Sequence, residues 1–297
     1  MSAPELPFTG ERFTPECTRE IWYEHWHRYA LAARLAPGRR VLDAACGEGY
    51  GAALMARDAR EVVGVDLAED AVRHARSRYG ATERLRFETA DAVRLGQFDA
   101  GSFDLITSFE TLEHLAEHEA LLEGFVRLLA PGGVLMISTP DKHNYSERTG
   151  YRNPHHVREL QREEFERLLA AYFPARRMFA QKLLFQSVLW PQDREARGVV
   201  ADTALEGMTE LAPGLRYPPL YYLAVCAAAE RDLPAWLDGT VALFGDARES
   251  VYSHYNEEVG KHIAAGTRLA EAEARIAELT RERDALAERF AMLTRAP

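Results

Sequence analysis

The chain has 297 residues, 47% of them hydrophobic, and its 36 Lys plus Arg against 46 Asp plus Glu give a net charge of −10. That composition excludes wholesale disorder, and an acidic chain without a basic run argues against nucleic-acid binding. The longest apolar run, Leu220 to Ala229, falls far short of the ~20 residues that span a bilayer, and no secretory signal precedes it.

Cys17, Cys46 and Cys226 are odd in number and widely spaced, so they form neither a disulfide framework nor a zinc pair. A reducing cytoplasm is the expected compartment. Residues 1–36 open with a Pro- and Gly-containing segment and continue into an aromatic helix expected from Glu16 to Leu35. Trp22, Tyr23, Trp26 and Tyr29 on that helix are expected mainly to pack, or else to line an acceptor pocket.

Residues 37–228 alternate β-branched runs with helical patterns. Strands are expected at 40–45, 61–65, 85–88, 103–108, 134–139, 177–182 and 221–227, and helices at 51–57, 69–79, 119–129 and 162–171. Such alternation predicts an α/β, Rossmann-like, doubly wound parallel sheet with right-handed crossovers. The stretch 183–219 is too long for an ordinary connection and reads as an insertion over the domain.

A linker is expected at 229–245 and a long helix, read as a coiled coil, at 246–297. Positions 269, 272, 276, 279, 283, 286, 290 and 293 hold Leu, Ala, Ile, Leu, Arg, Leu, Phe and Leu. That 3/4 spacing suits the seam of a homo-oligomer, most simply a dimer; a single helix packed back on its own domain is the alternative. Gly266 is expected to bend the helix just before the seam.

The chemistry begins at VLDAACGEGYG, residues 41–51. A strand ends near Asp43 and runs into a turn with Gly47, Gly49 and Gly51, where glycines allow sharp turning and close approach of a ligand. Asp66 ends the second strand, where an acid accepts ribose hydroxyls. Asp91 follows the third strand within reach of an adenine. The pattern D-x-x-x-G-x-G with two later acids resembles the S-adenosylmethionine (SAM) site of class I methyltransferases.

Within that class, FTGERFTPE, WYEHWHRYALA, FDLITSFETLEHL, PGGVLMISTPDKHNYSE and NPHHVREL resemble methyltransferases of bacterial surface-polysaccharide gene clusters. The resemblance covers residues 8–228 and implies seven strands with the last antiparallel. It implies that Gly47, Glu48 and Gly49 border the methionine part of SAM, Asp66 the ribose, and Asp91 with Ala92 the adenine. Phe109 is expected beside the methionine moiety, and Arg28 is a candidate partner for the cofactor carboxylate.

Methyl transfer to a hydroxyl needs a positioned acceptor and a base, or a metal that acidifies the hydroxyl. Glu110, Glu113 and His114 follow the fourth strand and share a face if that turn is helical. His114 is the candidate base with Glu110 beside it. The same E-x-x-E-H resembles quinone-biosynthesis O-methyltransferases, where the trio is a Mg²⁺ site, so Glu110, Glu113 and His114 are also candidate metal ligands. A structural capping role for these residues is a further alternative. Adjacent His155 and His156 are unlikely to point the same way, and by resemblance His156 is the catalytic one.

The expected function is thus O-methylation of a sugar hydroxyl on a surface glycan or its precursor, with glycosyltransferases as possible neighbours. The alternatives are a small-molecule, quinol-like O- or N-methyltransferase, and a non-catalytic scaffold acting through its coiled coil.

Overall fold

The computed structural model describes residues 20–80, 83–205 and 210–294. Cys17, the segment 1–15 and the first turn of the expected aromatic helix lie outside the described residues. The chain divides into two compact units, 1–244 and 245–297.

The first unit runs α1 (Glu20–Ala33), β1 (Arg40–Ala44), α2 (Tyr50–Met55), β2 (Glu61–Asp66), α3 (Glu69–Tyr79), β3 (Leu85–Thr89) and β4 (Phe103–Ser108). It continues with α4 (His118–Leu128), β5 (Leu129–Pro140), α5 (Arg162–Tyr172), β6 (Ala175–Gln181), the short strands β7 (Asp202–Ala204) and β8 (Leu211–Pro213), and β9 (Tyr221–Ala227). Seven strands form one sheet in the order β3-β2-β1-β4-β5-β9-β6, while β7 and β8 pair separately inside the insertion. Neighbours from β3 to β5 are parallel. β9 runs antiparallel to both β5 and β6, as the family resemblance implied.

Strand residues alternate between two apolar layers, as a period of two demands. Val41, Val62, Leu105, Val134 and Val225 face α1, α2 and α3 with Tyr29 and Leu31. Leu42, Val63, Ile106, Leu135 and Ala224 face α4 and α5 with Leu121, Phe125 and Phe165. With both faces covered, β9 buries all seven of its residues, which explains its unbroken apolar reading.

Residues 229–244 form no separate linker. Leu233 and Leu237 sit in the core of the first unit, and Arg177 on β6 pairs with both Glu230 and Asp238.

The second unit is one helix, α6 (Ser250–Thr294), 45 residues long and about 68 Å at 1.5 Å per residue. It passes through Gly260 and Gly266 without interruption, so the helix is not broken before the seam. None of its residues is buried, and Leu269, Ile276, Leu279, Leu286, Phe290 and Leu293 are all exposed. Among the described residues no helix is long and apolar enough to cross a membrane.

Candidate functional site

β1 is the strand at which the chain order reverses, since β2 lies on one side and β4 on the other. In open α/β sheets the crevice outside such carboxyl ends is where ligands bind. Asp43 on β1, Asp66 at the end of β2 and Asp91 two residues past β3 stand on three neighbouring strands. The turn after β1 is shaped by three left-handed residues, Ala45 (φ 61°), Gly47 (φ 55°) and Gly49 (φ 90°).

Two of these glycines are needed for different reasons. A Cβ on Gly49 would meet the Phe87 ring at 2.7 Å and Ala75 at 2.8 Å, so no side chain fits there. Gly47 faces open space. The Asp66 carboxylate fixes the turn, accepting the Gly47 N–H at 2.8 Å and the Ala68 N–H at 2.9 Å. Each oxygen keeps a second lone pair for a ligand hydroxyl. Asp91 accepts the Val93 N–H at 3.0 Å, and Ala92 packs against the second apolar layer.

The Glu48 side chain points elsewhere. It is buried and held by His74 at 3.0 Å, Arg78 at 2.9 Å and Tyr79 at 3.0 Å, all on α3. Only its main chain remains to border a ligand.

Asp43 is fully buried and accepts hydrogen bonds from Thr107 Oγ1 at 2.7 Å and Tyr29 at 3.1 Å. Phe109 packs edge-on against the same Tyr29, 4.9 Å between ring centres. Tyr29 thus combines packing with support of the turn, a role its aromatic spacing did not reveal. Burial raises the Asp43 carboxyl to about 7; Thr107 and Tyr29 oppose the shift, and Asp66 adds to it.

The unfolded carboxyl titrates near 3.8, so the folded state holds its proton more tightly. The resulting stabilisation is complete below that value and is lost as pH rises through 7. Urea unfolding of the ligand-free protein is therefore expected to show wild type losing about 2–4 kcal/mol relative to Asp43→Asn between pH 4 and 8, with no further change above. A constant difference across that range would show that Asp43 is ionised throughout.

Arg28 is 1% exposed and lies over the Tyr221 ring at 4.4 Å. Its Nε donates to Gln181 at 2.7 Å, while Nη1 lies 3.4 Å from a Glu110 oxygen. Among the described residues, neither Nη1 nor Nη2 makes a hydrogen bond, although Nη1 is ion-paired with Glu110. Buried donors of a cation left in this state are costly, and an anionic ligand would satisfy them. Glu110 itself has φ 50° and accepts the Ser138 hydroxyl at 2.6 Å.

Farther along the edge, Leu112–His114 forms a single helical turn. The Glu113 carbonyl accepts the N–H groups of Val157 at 2.8 Å and Arg158 at 3.0 Å, which docks the 153–158 loop on this turn. The docking brings the His114 and His156 rings to 5.0 Å. His114 Nδ1 bonds the His155 carbonyl at 3.1 Å, so it carries the proton and Nε2 carries the lone pair. His156 Nδ1 lies 2.5 Å from Glu159, and Tyr145 stacks on its other side at 5.5 Å. His155 is exposed and contributes its backbone carbonyl.

This arrangement corrects the expected metal set. Glu110 turns to Arg28 and Ser138, because its left-handed backbone breaks the helical register with Glu113 and His114. The ligand atoms that converge, within 4.8 Å of one another, are those of Glu113, His114 and His156. Burial, reinforced by Glu110, holds the Glu113 carboxyl well above the usual range. Two imidazoles and a single acid suit Mg²⁺ poorly, since that ion prefers carboxylate and water oxygens.

Residues 42–137 match the family model described as a methyltransferase domain. A probable S-adenosylmethionine-dependent methyltransferase of Mycolicibacterium smegmatis is 40% identical over 167 residues, 55% of this chain and 63% of that protein. A similarly described protein of Mycobacterium tuberculosis is 40% identical over 168 residues, 55% of this chain and 60% of that one. A ubiquinone biosynthesis O-methyltransferase of Psychrobacter arcticus is 35% identical over 105 residues, 34% of this chain and 41% of that protein. The chain thus spans less than two thirds of the length of these relatives. The family-model match runs from β1 through most of β5, the strands that carry the glycine turn and its acids.

Proposed function

We propose that the protein is a SAM-dependent methyltransferase acting on a hydroxyl group, with a sugar hydroxyl of a bacterial surface glycan or its precursor as acceptor. The observation that carries SAM binding is the row of Asp43, Asp66 and Asp91 beside the open turn at Gly47. In this reading Asp66 accepts the ribose hydroxyls, and Asp91 with Ala92 borders the adenine. Gly47, Gly49 and the Glu48 main chain border the methionine portion, with Phe109 beside it. Arg28 offers its amino groups, which make no hydrogen bond among the described residues, to the carboxylate, steadied by Glu110 and Gln181.

Bound SAM supplies a methyl group activated on a sulfonium. The chain's own task is to align the acceptor and remove its proton. His114 takes that proton on Nε2, with His156 closing the same wall of the site. Calorimetric titration with S-adenosylhomocysteine tests the core of the proposal; absence of binding to the folded protein defeats it. Mass spectrometry of glycan from a deletion strain tests the acceptor. The 35% identity with a ubiquinone biosynthesis O-methyltransferase favours a quinol-like acceptor as the second reading.

The exposed apolar stripe of α6 supports a homo-oligomer, a dimer in the simplest form. Leu269, Ile276, Leu279, Leu286, Phe290 and Leu293 form the seam, and Arg283 within it sets register at some cost in stability. Truncation after Gly245 is expected to give a monomer that still binds S-adenosylhomocysteine, because every proposed cofactor residue lies between Arg28 and Phe109. Light scattering on both forms decides it, and a full-length monomer at micromolar concentration refutes the seam.

A further inference from the structure

We infer that the methyl acceptor is an amphiphile, and that a cavity of about 400 Å³ between α1 and the β6–β9 edge holds its apolar portion. The inference rests on the methyltransferase reading above and narrows its acceptor.

The cavity is distinct from the glycine turn, which belongs to the β1–β2–β3 side of the sheet. Leu31 of α1, Phe179 of β6 and Leu223 of β9 form its inner wall. Segments 182–186 and 240–244 form the outer walls. Phe244 holds the second segment against α1, with ring centres 5.8 Å from Trp22 and 5.6 Å from His27. Burial, aided by Arg28, lowers the His27 imidazole to about 4, so His27 adds no charge to this wall at neutral pH, and the charged lining is Glu24, Arg28 and Lys182.

The polar groups of α1 and β6 gather in one patch. Gln181 bonds Arg28 through its oxygen at 2.7 Å and the Glu24 carbonyl through its nitrogen at 2.9 Å. From that patch Arg28 reaches toward Glu110, at the edge of the proposed transfer site. The shape is that of an apolar chamber with a polar end turned toward the chemistry, at a size typical of small-molecule pockets. An occupant would place an uncharged apolar body among Leu31, Phe179 and Leu223 and a hydroxyl-bearing head beyond Arg28.

A second observation concerns the 182–186 wall. Past it, Val188, Leu189 and Trp190 are exposed in succession, Leu189 at 97%. An exposed apolar run of this kind marks contact with an apolar partner. Here it follows in sequence directly on the cavity-lining segment 182–186.

The probes are n-decyl β-D-glucopyranoside, kept below its micelle concentration, and methyl β-D-glucopyranoside. Both are titrated into full-length protein saturated with S-adenosylhomocysteine. The decyl glycoside is expected to bind one site per chain, at least ~10-fold tighter than the methyl glycoside. Ala242→Trp, and independently Val241→Trp, should fill the chamber and abolish that preference while S-adenosylhomocysteine affinity is unchanged. Equal binding of the two glycosides, or a preference that survives both variants, overturns the inference and leaves the methyltransferase reading intact. A variant-sensitive preference in a protein that binds no S-adenosylhomocysteine defeats the methyltransferase reading, and the acceptor assignment with it.

Discussion

His114→Ala is expected to lower turnover by roughly 10²–10⁴-fold while leaving S-adenosylhomocysteine affinity within about twofold. The size follows from what the imidazole supplies. A hydroxyl acceptor has to lose its proton as the methyl group arrives, and His114 has the proton-accepting tautomer fixed by the His155 carbonyl at 3.1 Å. Its two neighbours separate the possible roles. Glu113 is buried and its carboxyl is pushed up by that burial, so Glu113→Gln, which keeps the shape, should change turnover far less than loss of His114. His156→Ala removes the ring at 5.0 Å but not the base, and an intermediate loss is expected. Chelators test the trio directly: two imidazoles and one acid suit Mg²⁺ poorly but match softer ions such as Zn²⁺, so loss of turnover on chelation would assign Glu113, His114 and His156 to such an ion. Turnover of His114→Ala within threefold of wild type would eliminate the base assignment.

The frame of the protein was readable because its signals are local. Short apolar or β-branched runs between helical patterns marked all seven sheet strands, and the spacing of Gly47 and Gly49 after Asp43 marked the left-handed turn that follows β1. The side-chain partners were less readable. Glu48 stands in the glycine motif, yet it bonds His74, Arg78 and Tyr79 on α3, across 26 to 31 residues. His156 meets His114 because two backbone N–H groups dock on the Glu113 carbonyl, and main-chain bonds leave no mark in residue identity. Glu110 was misplaced for a conformational reason, since a glutamate at φ 50° cannot be foreseen from helical spacing. The fate of 229–244 was hidden because two buried leucines, Leu233 and Leu237, are too few to announce a packed segment. Gly266 was read as a break, but the surrounding Ala, Arg, Leu and Glu favour helix enough to carry it.

Asp66→Ala is expected to weaken SAM binding by at least ~2–3 kcal/mol, on the order of 30- to 100-fold. Two losses combine. The ribose hydroxyls lose their acceptor and stay buried without a partner, which alone accounts for that range. The turn also loses its fastener, because the same carboxylate accepts the Gly47 N–H at 2.8 Å and the Ala68 N–H at 2.9 Å. Asp66→Asn separates the two. An amide has one accepting oxygen, so its nitrogen would face an N–H donor of Gly47 or Ala68. The Asn variant should therefore bind nearly as poorly as Ala, although it preserves volume. Asp91→Ala provides the contrast. Asp91 accepts the Val93 N–H at 3.0 Å in its own turn and lies near Arg94, with its side chain about a third exposed, so its removal should cost about tenfold or less. Calorimetry with S-adenosylhomocysteine gives the three affinities, and thermal melting verifies that each variant is folded. The order expected is Asp66→Ala weakest, Asp66→Asn close to it, and Asp91→Ala near wild type. If a folded Asp66→Ala protein binds as tightly as wild type, the ligand does not lie across the ends of β1 and β2, and the site assignment fails.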